Sequence, residues 1–264
     1  MTLLALFLKI SVPSVLVAVM SLAARRWGPT FGGLVMGLPW MTGPVVYFLG
    51  YDKGTEFVVA AARGVELAVW GMGAFILGFG FASRTRRWVP SLTAAVAGYA
   101  IVGLITQGLI LPLWLATVIA VLVLAGVYLL LPHPRSAAIP GRLPSWDIPA
   151  RMLATFVLVS IIMVTADQLG PQRSGLIASY PVILTIIGCF TLSHWGRDAL
   201  LRVLRGISLS LLAFVAFFAV VGTSAPLWGL NVSYAVATLA ALTISALLLQ
   251  LNRRPQTLAQ ASGQ

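Results

Sequence analysis

The sequence predicts an all-α polytopic membrane protein of about nine transmembrane helices, arranged as an inverted-topology repeat of five spans and four. Three observations lead there. The chain of 264 residues is 59% hydrophobic and 9% charged, with a mean hydropathy of +0.99, which is far outside the composition of soluble domains. Apolar runs of about 20 residues, each able to cross about 30 Å of hydrocarbon as a helix, recur along its length, and the joins between them are too short for a soluble domain. The stretch GPTFGGLVMGLP at 28–39 is answered by GPQRSGLIASYP at 170–181.

The expected spans run from the apolar stretches between polar joins: 3–22, 31–50, 57–82, 91–108, 113–131, 150–168, 175–193, 200–222 and 230–250. The first has no basic residue ahead of its apolar run and is interrupted by Lys9, so it reads as a span rather than a signal peptide. The second and seventh hold the glycine- and proline-rich motifs and are expected to be kinked or interrupted. The fourth and fifth come from one apolar stretch too long for a single crossing, divided at Gln107, Gly108 and Pro112. Residues 1–264 then form one membrane domain, with a first half at 1–131, a cytoplasmic linker at 132–147 and a second half at 148–250.

Seventeen basic residues against six acidic ones give a net charge of +11. In a soluble protein this would suggest nucleic acid, but here the cations sit in the joins, where they act as topology signals, and nucleic acid is excluded as a partner. With nine spans, one side receives Arg25, Arg26, Arg84, Arg86, Arg87, Arg135, Arg142, Arg197, Arg202, Arg253 and Arg254, and the other receives only Lys53 and Arg173. The positive-inside rule therefore puts the N-terminus outside and the C-terminus in the cytoplasm of a bacterium, across its inner membrane. Trp27, Trp88, Trp114, Trp146, Trp195 and Trp228 fall near span ends, as interfacial anchors do. The lone cysteine, Cys189, leaves neither a disulfide framework nor a cysteine metal site.

The two motifs align without a gap at an offset of 142 residues, which pairs Gly28 with Gly170, Pro29 with Pro171, Gly33 with Gly175, Leu34 with Leu176 and Pro39 with Pro181. The same offset continues through Phe48 and Phe190, Gly54 and Gly196, Arg63 and Arg205, and Gly64 and Gly206. Matches in glycine, proline and arginine are not expected from an apolar bias alone, so a duplication is inferred. An odd number of spans separates the copies, so the halves are expected to be inverted. Many secondary transporters use this arrangement to hold substrate where interrupted helices meet at the membrane midplane.

Candidate binding residues follow. Pro39 and Pro181 would free backbone groups in mid-span, which are tolerated there only inside protein or beside a cavity. Simple kinks packed by Gly32, Gly33, Gly37 and Gly175 are the plainer alternative. Thr42, Ser174, Ser179, Tyr180 and Thr185 would complete a polar lining. Arg63 and Arg205 are charges within spans, for which function is the default reading, although both lie within snorkelling reach of a helix end. Glu66, three residues after Arg63, shares its helix face and could pair with it. Lys9, paired with Arg151 by the offset, could carry a proton, attract an anion, or snorkel to the surface. Asp167 reads as a solvated helix end, and Glu66 and Asp167 are taken as the acidic residues in or at the end of spans. His133 and His194 have no second ligand at metal spacing, and no HExxH, GxSxG or P-loop is present.

The expected function is a secondary transporter or exporter that works by alternating access and is driven by an ion or proton gradient. Its cargo would be a small solute, with the cations at Lys9, Arg63 and Arg205 favouring an anionic or lipid-linked one. The expected partners are a small-molecule or ionic substrate and membrane lipid, with a homodimer admitted and no cofactor required. The rival readings are a membrane-embedded enzyme, which needs an acid–base or metal cluster at one depth, and a non-transporting scaffold or assembly subunit. In architecture alone the crossed, interrupted helices resemble those of the sodium/proton antiporter and bile-acid symporter families. The paired mid-span aspartates of the antiporters have no counterpart here, and no family residue carries over.

Overall fold

The computed structural model describes residues 3–27, 39, 42–106, 108–135, 146–161 and 180–261. The motifs at 28–38 and 170–179, with Ser174 and Ser179, lie outside the described residues, as do Gln107 and Asp167. Among the described residues the only regular structure is helix. We number the helices α1 (Leu3–Trp27), α2 (Thr42–Lys53), α3 (Thr55–Ala82), α4 (Trp88–Thr106), α5 (Leu113–Leu130) and α6 (147–161). The helical run Val182–Ala261 is broken at Gly196 (φ 78°, ψ −174°) and Gly229 (φ 75°, ψ 169°), which divide it into α7 (182–195), α8 (197–228) and α9 (230–261).

Among the described residues, four helical stretches are long and apolar enough to cross a membrane: Thr55–Thr85, Trp88–Thr106, Leu113–Leu130 and Val182–Gln250, the last containing both glycine breaks. Large apolar side chains face outward along them, including Leu104, Ile105, Leu122, Leu129, Leu239 and Leu242. In water so much exposed apolar surface would aggregate, and it points to a membrane location. The tryptophans Trp27, Trp88, Trp114, Trp146 and Trp228 are all exposed at or near helix ends.

α3 is the central element, with neighbours on several faces. Its small residues set how closely they approach. A methyl at Gly78 would lie 2.6 Å from the Ala94 carbonyl oxygen, and one at Gly98 would lie 3.0 Å from that of Ala74, so α3 and α4 touch backbone to backbone. On another face Gly73 admits Val123 and Val127 of α5. α8 runs antiparallel to α3: Gly222 approaches Ala62, Leu204 and Leu201 approach Gly80, and Arg197 donates to the Ser83 hydroxyl at 3.3 Å.

The connections turn sharply where glycine permits it. Gly54 (φ 84°, ψ 173°) separates α2 from α3 in a conformation closed to side-chain-bearing residues, and Gly196 repeats it between α7 and α8. Arg86, at φ 55°, takes the left-handed conformation before α4.

Candidate functional site

Pro39 and Pro181 each stand at the start of a short helix. The Pro39 carbonyl accepts from Gly43 N at 3.1 Å, and the Pro181 carbonyl accepts from Thr185 N at 2.9 Å. Proline suits these places because a first-turn residue has no i−4 carbonyl to bond, so its missing N–H costs nothing. At 1.5 Å per residue α2 and α7 are about 18 and 21 Å long, short of a full crossing of about 30 Å.

Their starts lie against the interior of α3 and α8, and they leave in opposite directions. α2 begins where Gly43 meets Phe217, and by Gly50 it has reached Val58 near the beginning of α3. α7 begins where Tyr180 meets Phe75 edge to face at 6.1 Å. By Gly188 it has reached Phe79, and at Gly196 it has arrived beside the end of α3. Tyr180 also meets Tyr99 at 5.7 Å, and its hydroxyl lies 2.9 Å from the Thr185 hydroxyl, which itself bonds the Pro181 carbonyl. Thr42 is the half-buried first residue of α2. Lys9 lies on α1, with its side chain outside the described residues.

A second group gathers on α3. Glu66 has no exposed surface, and neither of its carboxylate oxygens has a hydrogen-bond partner. The Arg63/Glu66 pair that the helix spacing allows is therefore not made, and Arg63 Nε is buried without a partner as well. Trp70 Nε1, one turn further along the same face, and Thr117 Oγ1 on α5 complete a set of buried polar atoms lacking partners. Native structures seldom leave such atoms unbonded, because each forfeits its hydration.

Arg205 behaves differently from its sequence counterpart Arg63. Its Nη1 donates to the carbonyls of Tyr128 (3.1 Å) and Leu131 (3.0 Å), and its guanidinium lies 4.1 Å from the Tyr128 ring centroid. These carbonyls end α5 and have no helical donor, so Arg205 caps that helix and complements its dipole. A structural duty accounts for this charge.

Sequence reasoning missed Asp147, which adds a third acidic position to the two it named. Asp147 is fully buried at the start of α6 and receives Arg151 Nε at 2.9 Å, while Arg151 is 2% exposed. His194 Nε2 lies 3.4 Å from the other carboxylate oxygen, and the Arg151 guanidinium stands 5.0 Å over the Phe190 ring. This cluster ties α6 to α7. The i, i+4 spacing of Asp147 and Arg151 was the signal that could have found it. Among the described residues no three histidine, cysteine, aspartate or glutamate side chains gather as a metal site.

No protein-family model, curated protein or solved structure matches the chain.

Proposed function

We propose that the protein is a secondary transporter that moves a small, anionic solute by alternating access between two inverted halves, through the region where α2 and α7 begin. The observation that carries this reading is a reciprocal contact between α3 and α8. A methyl at Gly222 would lie 2.9 Å from Ala62 Cβ, and one at Gly80 would lie 3.6 Å from Leu204 Cδ1. The 142-residue offset exchanges the two contacts, because it carries Ala62 to Leu204 and Gly80 to Gly222. A contact in which i meets j and the equivalent of j meets the equivalent of i is the mark of a two-fold relation. Since α3 and α8 are antiparallel, the axis runs across them, as inversion in a membrane requires.

Other pairs agree. Gly54 and Gly196 share the offset and the same backbone conformation. α3 and α8 begin at 55 and 197, and α4 and α9 begin at 88 and 230. Phe75 and Phe217 are equivalents, and each stands against the broken helix of the opposite half. α5 is left without a counterpart, in keeping with five spans and four. Two helix N-termini near one axis supply backbone amides and positive dipole ends, which favours an anion over a cation. The nine spans, the outer N-terminus and the bacterial inner membrane belong to the same proposal and rest on the arginine distribution.

Thr42→Cys and Thr185→Cys, each made in a Cys189→Ser background, test it. In sealed vesicles of either orientation, an impermeant thiol reagent is expected to reach both positions from both sides, and an anion substrate to shift the balance between sides. Labelling of neither position from either side would mean a dry, static bundle and would refute alternating access.

A further inference from the structure

We propose that Glu66 is a proton-carrying site coupled to an anion site at Arg63, so that one proton and one anionic group bind together. The purpose of the site rests on the transporter reading, whereas its existence rests on the packing of α3. Glu66 is wholly enclosed with neither oxygen bonded, and three polar groups around its level also have a buried atom with no partner: Arg63, Trp70 and Thr117. Residues 63, 66 and 70 recur at i, i+3 and i+7 and so share one face of α3. Thr117 comes to that level by register. Leu113 of α5 and Ala62 of α3 both close on Gly222, and further along Val123 and Val127 meet Gly73, so the helices run parallel. One turn beyond Leu113 and Ala62 therefore brings Thr117 level with Glu66.

Among the described residues, the surroundings leave few ionisable groups to satisfy this carboxyl. α4 contributes Tyr99, and Tyr180, just ahead of α7, meets it edge to face. α5 contributes Tyr128 and α8 contributes Arg205, whose guanidinium donates to the Tyr128 carbonyl and lies over its ring toward the Ser83 end of α3. α2 has Asp52 and Lys53 exposed at the Gly54 end, while Tyr47 and Tyr234 of α9 pack together there. Among those residues Arg63, three positions earlier on the same face of α3, is the cation within reach. A metal ion fits poorly, because Arg63 and Trp70 offer only N–H donors, and the two carboxylate oxygens and one hydroxyl fall short of the six or more oxygens a hard cation takes.

The arrangement has two balanced states. When ionised, Glu66 pairs with Arg63 three residues away on the same face, and the site holds no net charge. When Glu66 takes up a proton the pair opens, and Arg63, with the Trp70 N–H and the Thr117 hydroxyl, is left to an anion, so the site is again neutral. The unpaired geometry observed is that of the second state. Proton and anion therefore raise each other's affinity by the same factor, and they cross the membrane in the same direction.

The test uses the purified full-length protein in detergent. An infrared difference spectrum between acid and alkaline pH should contain a protonated-carboxyl carbonyl band that disappears in Glu66→Gln and persists in Asp147→Asn. Benzoate and inorganic phosphate, each alone, are then titrated against tryptophan fluorescence, with Trp70→Phe identifying the contribution of Trp70. At least one should bind more tightly on acidification, by up to about tenfold per pH unit. Glu66→Gln should bind it equally well at every pH, and Arg63→Gln should lose binding while keeping the infrared band. A band unaffected by Glu66→Gln overturns the proton site. Binding by neither anion, or binding independent of pH in the unmodified protein, overturns the coupling. If the band and pH-linked binding are found while cysteines at 42 and 185 are sealed from both sides, this site stands and the transport reading falls. Two-sided labelling without the band or the linkage leaves the transport reading standing and removes the Glu66 site.

Discussion

Replacing Gly78 by alanine should push apart two helices that touch backbone to backbone. The new methyl would lie 2.6 Å from the Ala94 carbonyl oxygen, 2.9 Å from its carbonyl carbon and 3.1 Å from Ala95 Cα. Close C–H···O contacts settle at about 3.3 Å, so α3 and α4 must separate by about 0.7 Å. A gap of that size forfeits between about a quarter and a half of the dispersion energy of each contact it opens. Alanine returns about 1 kcal/mol of helix propensity, and overpacking costs about 1–3 kcal/mol. With rigid backbone as the obstacle the cost belongs at the top of that range, for a net loss of about 2 kcal/mol.

Gly80→Ala is the internal control. There the methyl meets Leu131 Cδ2 at 2.5 Å, the tip of a flexible side chain, and the next atoms are at 3.6 and 3.7 Å. Rotation of Leu131 relieves the clash, and the propensity gain offsets what remains, so the change should stay within about 1 kcal/mol. Thermal unfolding in detergent can be followed with a thiol-reactive dye at Cys189, the chain's one cysteine and half-buried. At about 2–4 °C per kcal/mol, Gly78→Ala should lower the midpoint by about 4–8 °C and Gly80→Ala by no more than about 4 °C. Equal shifts would refute the argument that the nature of the obstructing atom decides the cost.

Gly54→Ala and Gly196→Ala should each cost about 1–3 kcal/mol, because both glycines hold a conformation open essentially to glycine alone; midpoints that differ widely between the two would count against the equivalence of the halves. Asp147→Asn leaves Arg151 buried without its countercharge and should cost about 3–5 kcal/mol, while the double change Asp147→Leu with Arg151→Leu should recover most of that. Arg205→Met should remove two charge-assisted bonds at the end of α5 at about 1.5–3 kcal/mol each. If instead its melting midpoint is unchanged while anion binding is lost, Arg205 is a binding residue and not a cap.

The sequence alone was enough for the helical class and for most helix positions, because composition and hydrophobic run length act locally and survive any arrangement of the helices. Two turn positions were legible as well, since glycine records a backbone demand directly: Gly54 and Gly196, which an offset of 142 pairs in sequence, share one backbone conformation. Side-chain roles were not legible in the same way. The offset of 142 pairs Arg63 with Arg205, yet Arg205 meets the open end of α5 while Arg63 Nε is buried without a partner. Asp147 looked like part of a linker until α7 brought His194 to it and Phe190 to its partner Arg151. Helix spacing allowed an Arg63/Glu66 pair, whereas in the fold Glu66 is enclosed with neither oxygen bonded and Arg63 Nε is buried without a partner. Local chemistry determines which segments become helices. Which polar groups then find partners depends on which helices meet, and that was decided by the tertiary structure.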